Sequence, residues 1–312
     1  MDLRPTLYML LSGLAFSVMY VLAKDLSHLG GFAVTTFRAL GTLLPTLAYL
    51  RYRRVSLRGN RPTLLLARGV SGAASLVTFF IAIETVPVTA AVAIRYLSPI
   101  LAIAFVAWRL RERVHPAQWG LFAAAFAGVV MIKGFDARIT TGGLALVLAS
   151  AVLGGVTFAL IKKIGRTEET MLIVAYFTGA ATVFGVAGWG LTLDAHPLPT
   201  AADVPALLSI GLVGLVGQFF MTTAMQTGRA STVMPLKYVE AAFMLALGSY
   251  YLGETYSYAA LVGIAFVVAA NVGNLLVRQT AESRTAESTT AGSSTAGSTT
   301  AESQPAAAEP PV

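Results

Sequence analysis

The chain has 312 residues, of which 56% are apolar and only 12% charged, and it contains no cysteine. A soluble domain carries about 25% charged residues, so this composition excludes a water-soluble fold; the missing thiols exclude disulfides, thiolate metal sites and thiol nucleophiles. The net charge of +7 would suit nucleic acid or anionic lipid, but the placement of the charges points to membrane topology instead, and no nucleic-acid partner is expected.

Apolar runs of about 20 residues, enough to cross a ~30 Å hydrocarbon core as helices, recur along the chain. They fall at 5–24, 31–50, 63–85, 88–109, 115–134, 141–161, 170–192, 204–226, 230–252 and 256–277. The pattern predicts an all-α membrane protein with ten transmembrane helices. The first run follows Arg4 as a secretory signal would, yet it extends from Leu7 to Ala23 without an A-x-A-like cleavage site.

An even number of spans puts both termini on one side. With that side cytoplasmic, the inner segments hold Arg4, then Arg51, Arg53, Arg54, Arg58, Arg61 and Arg68, and further on Arg109, Arg111, Arg113, Lys162, Lys163, Arg166, Arg229, Arg278 and Arg284. The outer loops hold only Lys24, Lys133 and Arg138. The positive-inside rule then fixes the orientation, with a multi-pass protein of the bacterial inner membrane as the expected localisation. Arg38, Arg95 and Lys237 remain, and all three fall inside spans.

The spans form two copies of one unit. Ala82-Ile83-Glu84-Thr85 returns about 142 positions later as Ala224-Met225-Gln226-Thr227, and Ile94-Arg95-Tyr96-Leu97 returns as Leu236-Lys237-Tyr238-Val239. Leu110-Arg111-Glu112 likewise returns as Leu252-Gly253-Glu254. The halves cover 5–134 and 141–277, and five helices in each predict opposite insertion about an axis in the membrane plane, as in many secondary transporters. Residues 193–204, rich in Pro and Asp, are expected to form a small outer cap. Residues 279–312 repeat T-A-E-S and T-A-G-S themes and predict a disordered cytoplasmic tail.

A charge in the middle of a membrane helix costs about 2.5–3.5 kcal/mol on insertion scales and needs a partner or a wet cavity. Arg95 and Lys237 lie equally deep in the fourth and ninth spans, each followed by a tyrosine, Tyr96 or Tyr238. Glu240 stands three residues after Lys237, so the two can meet on one helix face. Glu84 could meet Arg95 across the short turn at 85–88. Two readings stay open: structural ion pairs, or cations that receive a substrate carboxylate, with Glu240 neutralising Lys237 in the empty site or taking up a proton. Arg38 is either a third cavity cation or a side chain that snorkels to the outer interface. Gln218, Asn271 and Asn274 suit hydrogen bonds between helices, and Pro99 suits a kink in the fourth span. Gly211, Gly214 and Gly217, matched by Gly69 and Gly72, lack the G-K-[ST] ending of a phosphate loop and predict close helix packing.

Enzymatic motifs are missing: His28, His115 and His196 are scattered at loops and span ends, with no H-E-x-x-H and no G-x-S-x-G. No cofactor or metal is expected, and the chain is read as a non-enzyme.

With Ser98-Pro99-Ile100 leading to Arg111-Glu112-Arg113, and Lys237-Tyr238-Val239-Glu240 leading to Gly253-Glu254-Thr255, residues 5–277 resemble the EamA-type exporters of the drug/metabolite transporter superfamily. The resemblance implies a basket-like fold with a cavity lined by the first, third, fourth, sixth, eighth and ninth spans, and export of amino acids or related metabolites. Small four-helix relatives bind cationic drugs with a glutamate in the first helix, whereas this chain has no acid between Leu7 and Ala23. The expected substrate is therefore zwitterionic or anionic, and it would contact Arg95, Tyr96, Lys237, Tyr238, Glu240, Arg38 and Glu84 in a monomer embedded in the lipid bilayer. The alternatives are a carrier of nucleosides or nucleotide-derived cofactors, and a non-transporting membrane scaffold or sensor.

Overall fold

The computed structural model describes residues 4–98, 101, 138–228, 236–237, 239–270, 272–273 and 276–277, with scattered positions between 117 and 131. Most of the fifth span, Pro99, Tyr238, Asn271, Asn274 and the 279–312 tail lie outside the described residues. Among the described residues every regular element is helical. The helices are α1 (Arg4–Asp25), α2 (Gly31–Tyr52), α3 (Pro62–Thr85), α4 (Val88–Arg95), α5 (Thr141–Ile164), α6 (Thr170–Leu191), α7 (Val204–Thr227), α8 (Val239–Leu252) and α9 (Tyr258–Ala270). Five segments are long and apolar enough to cross a membrane: Arg4–Leu29, Pro62–Thr85, Thr141–Thr167, Thr170–Leu191 and Val204–Thr227.

Local chemistry sets the helix ends. Pro62 opens α3 and Pro205 opens α7, where the missing N–H costs nothing because first-turn donors have no partner in the helix. Thr140 caps α5 by accepting a hydrogen bond from the Gly143 N–H at 3.0 Å. Gly165 ends α5 at φ 56°, a left-handed conformation that glycine adopts without a Cβ penalty.

The two halves exchange contacts reciprocally. Along α1 and α7, Tyr8 stacks on Phe220 at 5.5 Å, the Ser12 hydroxyl donates to the Gly217 carbonyl at 2.9 Å, and Met19 faces Gly214, so these helices run antiparallel. The matching pair is α5 and α3, where the Ser150 hydroxyl donates to the Ser75 carbonyl at 2.7 Å. Within the first half, Lys24 at the end of α1 donates to the Ile83 and Val86 carbonyls at the end of α3, so α1 and α3 run the same way. In the second half Lys162 repeats the device, donating to the Met225 carbonyl at 2.7 Å and the Gly228 carbonyl at 3.2 Å. Consequently α3 and its counterpart α7 point in opposite directions. A lysine on the first helix of each half caps orphan carbonyls of the third.

Small residues let the halves touch backbone to backbone. A Cβ on Gly211 would lie 2.6 Å from the Cα of Gly41, and one on Gly69 would lie 2.6 Å from the Tyr176 carbonyl oxygen. Thus the glycines of α3 and α7 each seat the second helix of the opposite half. The 193–204 segment lies over the α1–α2 turn: His196 packs on Gly30, and His28 Nε2 approaches Asp203 at 3.2 Å. The backbone N–H and hydroxyl of Thr200, then the His28 ring, hold the Asp203 carboxyl below its ordinary value. A carboxyl shifted down keeps its contribution above its ordinary pKa and loses it only as the medium turns more acidic.

Candidate functional site

Each half interrupts a helix at its part-buried cavity cation. In the first half α4 ends at Arg95 and the chain turns at Tyr96 before a short helical stretch resumes at Leu97 and Ser98. The reason is local: a proline at position 99 has no N–H to donate to the Arg95 carbonyl, and the Ser98 hydroxyl supplies a bond to that oxygen at 2.8 Å instead. The second half shows the same turn at Lys237, between helical Leu236 and α8. The turn at Tyr96 is the break that the described residues show; the kink expected at Pro99 itself falls outside them.

The two turns face one cavity with about 60 Å³ of space open to the centres of water-sized molecules, several times the roughly 10–15 Å³ that one water needs. Both halves line it. The walls come from α1, α3, α4, α5, α7 and the Lys237 segment, as the family resemblance implied, and also from α2 through Arg38 and α6 through Phe177.

Four cations reach the cavity. Arg95 donates from Nη1 to the Tyr20 hydroxyl at 2.8 Å and lies 4.7 Å from the Phe79 ring centroid. Lys237 donates to Glu240 at 3.0 Å and approaches the Phe16 and Phe158 rings at 5.5 and 6.0 Å. Arg38 and Arg68 are each 1% exposed, and their guanidinium carbons lie 5.0 and 4.8 Å from the centroid of the same ring, Phe177. Glu240, 2% exposed, is the only carboxylate among the described lining residues and is already paired with Lys237.

The Arg38 and Arg68 Nε and Nη1 atoms are buried without a hydrogen-bond partner. Sharing one ring keeps the two guanidinium carbons within about 10 Å, where like charges repel by roughly 1.7 kcal/mol or more at an effective dielectric of 20, and a buried ion with no counterion costs several kcal/mol more. Such an arrangement is tolerated where water or an anion can enter.

These placements sort the expected site residues. Arg95, Tyr96, Lys237, Glu240 and Arg38 all line the cavity, and Arg38 is buried rather than snorkelling outward. Tyr238 lies outside the described residues. Glu84 does not pair with Arg95. Its carboxylate accepts from the Gly31 N–H and so caps the start of α2, because a first-turn amide offers a fixed donor next to the helix dipole. Its repeat counterpart Gln226 works at the corresponding place, accepting from the Thr170 hydroxyl at 2.6 Å. Gln218 lines the cavity and donates to Thr222 of its own helix at 3.3 Å, not between helices. Arg68, grouped by sequence with the inner loop, stands inside α3. In the closing motif of the second half, Glu254 accepts from the Val88 N–H at 2.8 Å, so this acid caps α4 of the opposite half.

The sequence profile described as the EamA-like transporter family matches residues 3–134 and again residues 141–276. The chain belongs to the EamA-like transporter family. It is 31% identical over 264 residues to the pseudopaline exporter CntI of Pseudomonas aeruginosa, covering 83% of this chain and 92% of that protein. It is 28% identical to the riboflavin transporter of Rhizobium johnstonii, over 85% of this chain and 89% of that one. It is also 27% identical to human solute carrier family 35 member G1, over 85% of this chain and 77% of that one. A solved crystal structure shares the fold with a TM-score of 0.59 at 19% identity, covering 86% of this chain and 98% of its own. As an EamA-type member of the drug/metabolite transporter superfamily, the chain is a multi-pass membrane transporter for a small-molecule substrate.

Proposed function

We propose that this transporter exports small zwitterionic or anionic metabolites, amino acids among them, across the bacterial inner membrane by alternating access. In this reading ten transmembrane helices form two oppositely inserted units, 5–134 and 141–277, in a monomer with both termini and the 279–312 tail in the cytoplasm. The third and fourth helices of each unit rock around the shared cavity. The observation that carries the substrate class is the cavity's charge: four basic side chains face one carboxylate. Arg95, Lys237 and Arg38 hold the acidic group, Tyr96 and Tyr238 orient the polar head, and Glu240 releases Lys237 when substrate arrives.

Uptake into proteoliposomes tests this. Arg95→Gln, which removes one charge while Tyr20 and Phe79 stay in place, is expected to lower transport of the anionic substrate by about 10–100-fold, the worth of a charge-assisted hydrogen bond. Normal transport by a normally folded Arg95→Gln protein would overturn the assignment. One observation favours the second reading, a carrier of flat aromatic solutes such as nucleosides or cofactors: Phe16, Tyr20, Phe158 and Phe177 all reach the cavity, and aromatic rings stack on bases. The riboflavin transporter of Rhizobium johnstonii supports the same alternative.

A further inference from the structure

The cavity's charge is one-sided. In the second half Lys237 is neutralised by Glu240 at 3.0 Å. The first half contributes Arg38, Arg68 and Arg95, and the described cavity wall holds no acid to match them. Several polar features occur twice, as with Lys24 and Lys162, Ser12 and Ser150, or Arg95 and Lys237. Arg38 and Arg68 do not. A Cβ on Gly72 would meet the Arg68 guanidinium of its own helix and the Phe177 ring of α6, whereas one on Gly214, its match 142 positions later, would meet Arg38 of α2 and Met19, so from the facing second helix a ring reaches one half and a guanidinium the other. The position matching Arg68 is Ile210.

Features shared by both halves serve what both halves must do, which is to pack, to exchange conformations and to present one cation to the cavity. Charges found in one half serve something without a mirror image, and an asymmetric solute is the natural candidate. Arg38 and Arg68 share the Phe177 ring, so their guanidinium carbons are no farther apart than the sum of the two ring distances, and both line the same cavity. The four buried nitrogens without partners, Nε and Nη1 of each arginine, are charged donors whose natural acceptor is an anion.

We propose that the Arg38–Phe177–Arg68 wall is a second anion subsite, separate from Arg95, and that the transported solute is a dicarboxylate or dicarboxylic amino acid. One carboxylate sits between Arg38 and Arg68 and the other meets Arg95. A solute amine, where present, faces the Glu240 side. This deepens the transport reading and rests on it. Aromatic stacking alone does not account for the pair, since Phe177 packs equally well against uncharged side chains without the burden of two buried cations.

The test is thermal unfolding of the full-length protein in detergent, at fixed pH and ionic strength, titrated with matched solutes: succinate against butyrate, glutamate against glutamine, aspartate against asparagine. A ligand of the native state raises its unfolding temperature. The wild type is expected to bind the dicarboxylate of each pair on the order of tenfold more tightly. Arg68→Gln should erase that preference while leaving monocarboxylate binding in place, and Arg68→Lys should retain part of it. Equal wild-type affinity for both members of a pair, or a preference that survives Arg68→Gln, overturns the second subsite yet leaves an anion transporter standing. If no anion binds and only planar uncharged solutes stabilise the protein, the transport reading for anionic metabolites fails as well. Should a glutamine variant not fold, the wild-type preference and the Arg68→Lys protein decide the matter.

Discussion

Gly211→Val is expected to disrupt assembly of the two halves, with loss of monodisperse protein and a collapse of its thermal transition. The new Cβ would lie 2.6 Å from the Cα of Gly41 and 2.9 Å from its carbonyl carbon. Both obstacles are backbone, so no side chain can rotate out of the way. Overpacking typically costs about 1–3 kcal/mol when neighbours can shift, and here a whole helix must move. Gly179→Ala, also within a helix but with nothing within 4 Å of its new Cβ, is the control. It should hold or gain stability, by up to about 1 kcal/mol from helix propensity. A well-folded Gly211→Val protein would mean that α2 and α7 do not cross at these glycines.

The second large effect concerns the Lys237–Glu240 pair. Removing one member of a buried pair strands a charge and costs about 3–5 kcal/mol. Lys237→Met is therefore expected to lower the unfolding temperature by many degrees, with Glu240 only 2% exposed. The double variant Lys237→Met, Glu240→Leu removes both charges and should recover most of that stability. If transport needs the lysine, the double variant stays inactive although it folds. Recovered stability with recovered transport would reduce the pair to a structural element. An unchanged Lys237→Met protein would show that water already screens Glu240.

How far the sequence alone reveals this arrangement depends on the kind of signal each residue leaves. Arg95 and Lys237 were legible because they stand in otherwise apolar runs and repeat at a fixed spacing. The glycine seats at Gly69 and Gly211 were legible for the same reason, although their partners Tyr176 and Gly41 were not, since spacing along one helix says nothing of what crosses it. Arg68 was hidden by context. It follows five arginines between 51 and 61, and a run of basic residues reads as an inner loop; only Pro62, a helix-opening residue, signals that α3 has already begun. Glu84 was placed near the right end of its helix, but its partner is the backbone amide of Gly31, and backbone donors are invisible to reasoning about charge. Gln218 illustrates the converse: a polar side chain in an apolar helix is noticeable, yet whether it faces a neighbour or a cavity depends on rotation about the helix axis.

The absence of cysteine allows a direct test of the hydrated basic cavity. Single cysteines replace Thr157 and Met221 on the cavity wall, and Val183, 65% exposed on the outer surface of α6, in protein reconstituted into liposomes. Membrane-impermeant thiol reagents of similar size and opposite charge are then compared. A positive cavity concentrates anions and repels cations. Both cavity cysteines should react, faster with the anionic reagent than with the cationic one, while the Val183→Cys protein stays unlabelled beneath lipid. Labelling at Val183→Cys with silence at both cavity positions, or a faster reaction with the cationic reagent inside the cavity, would contradict the account.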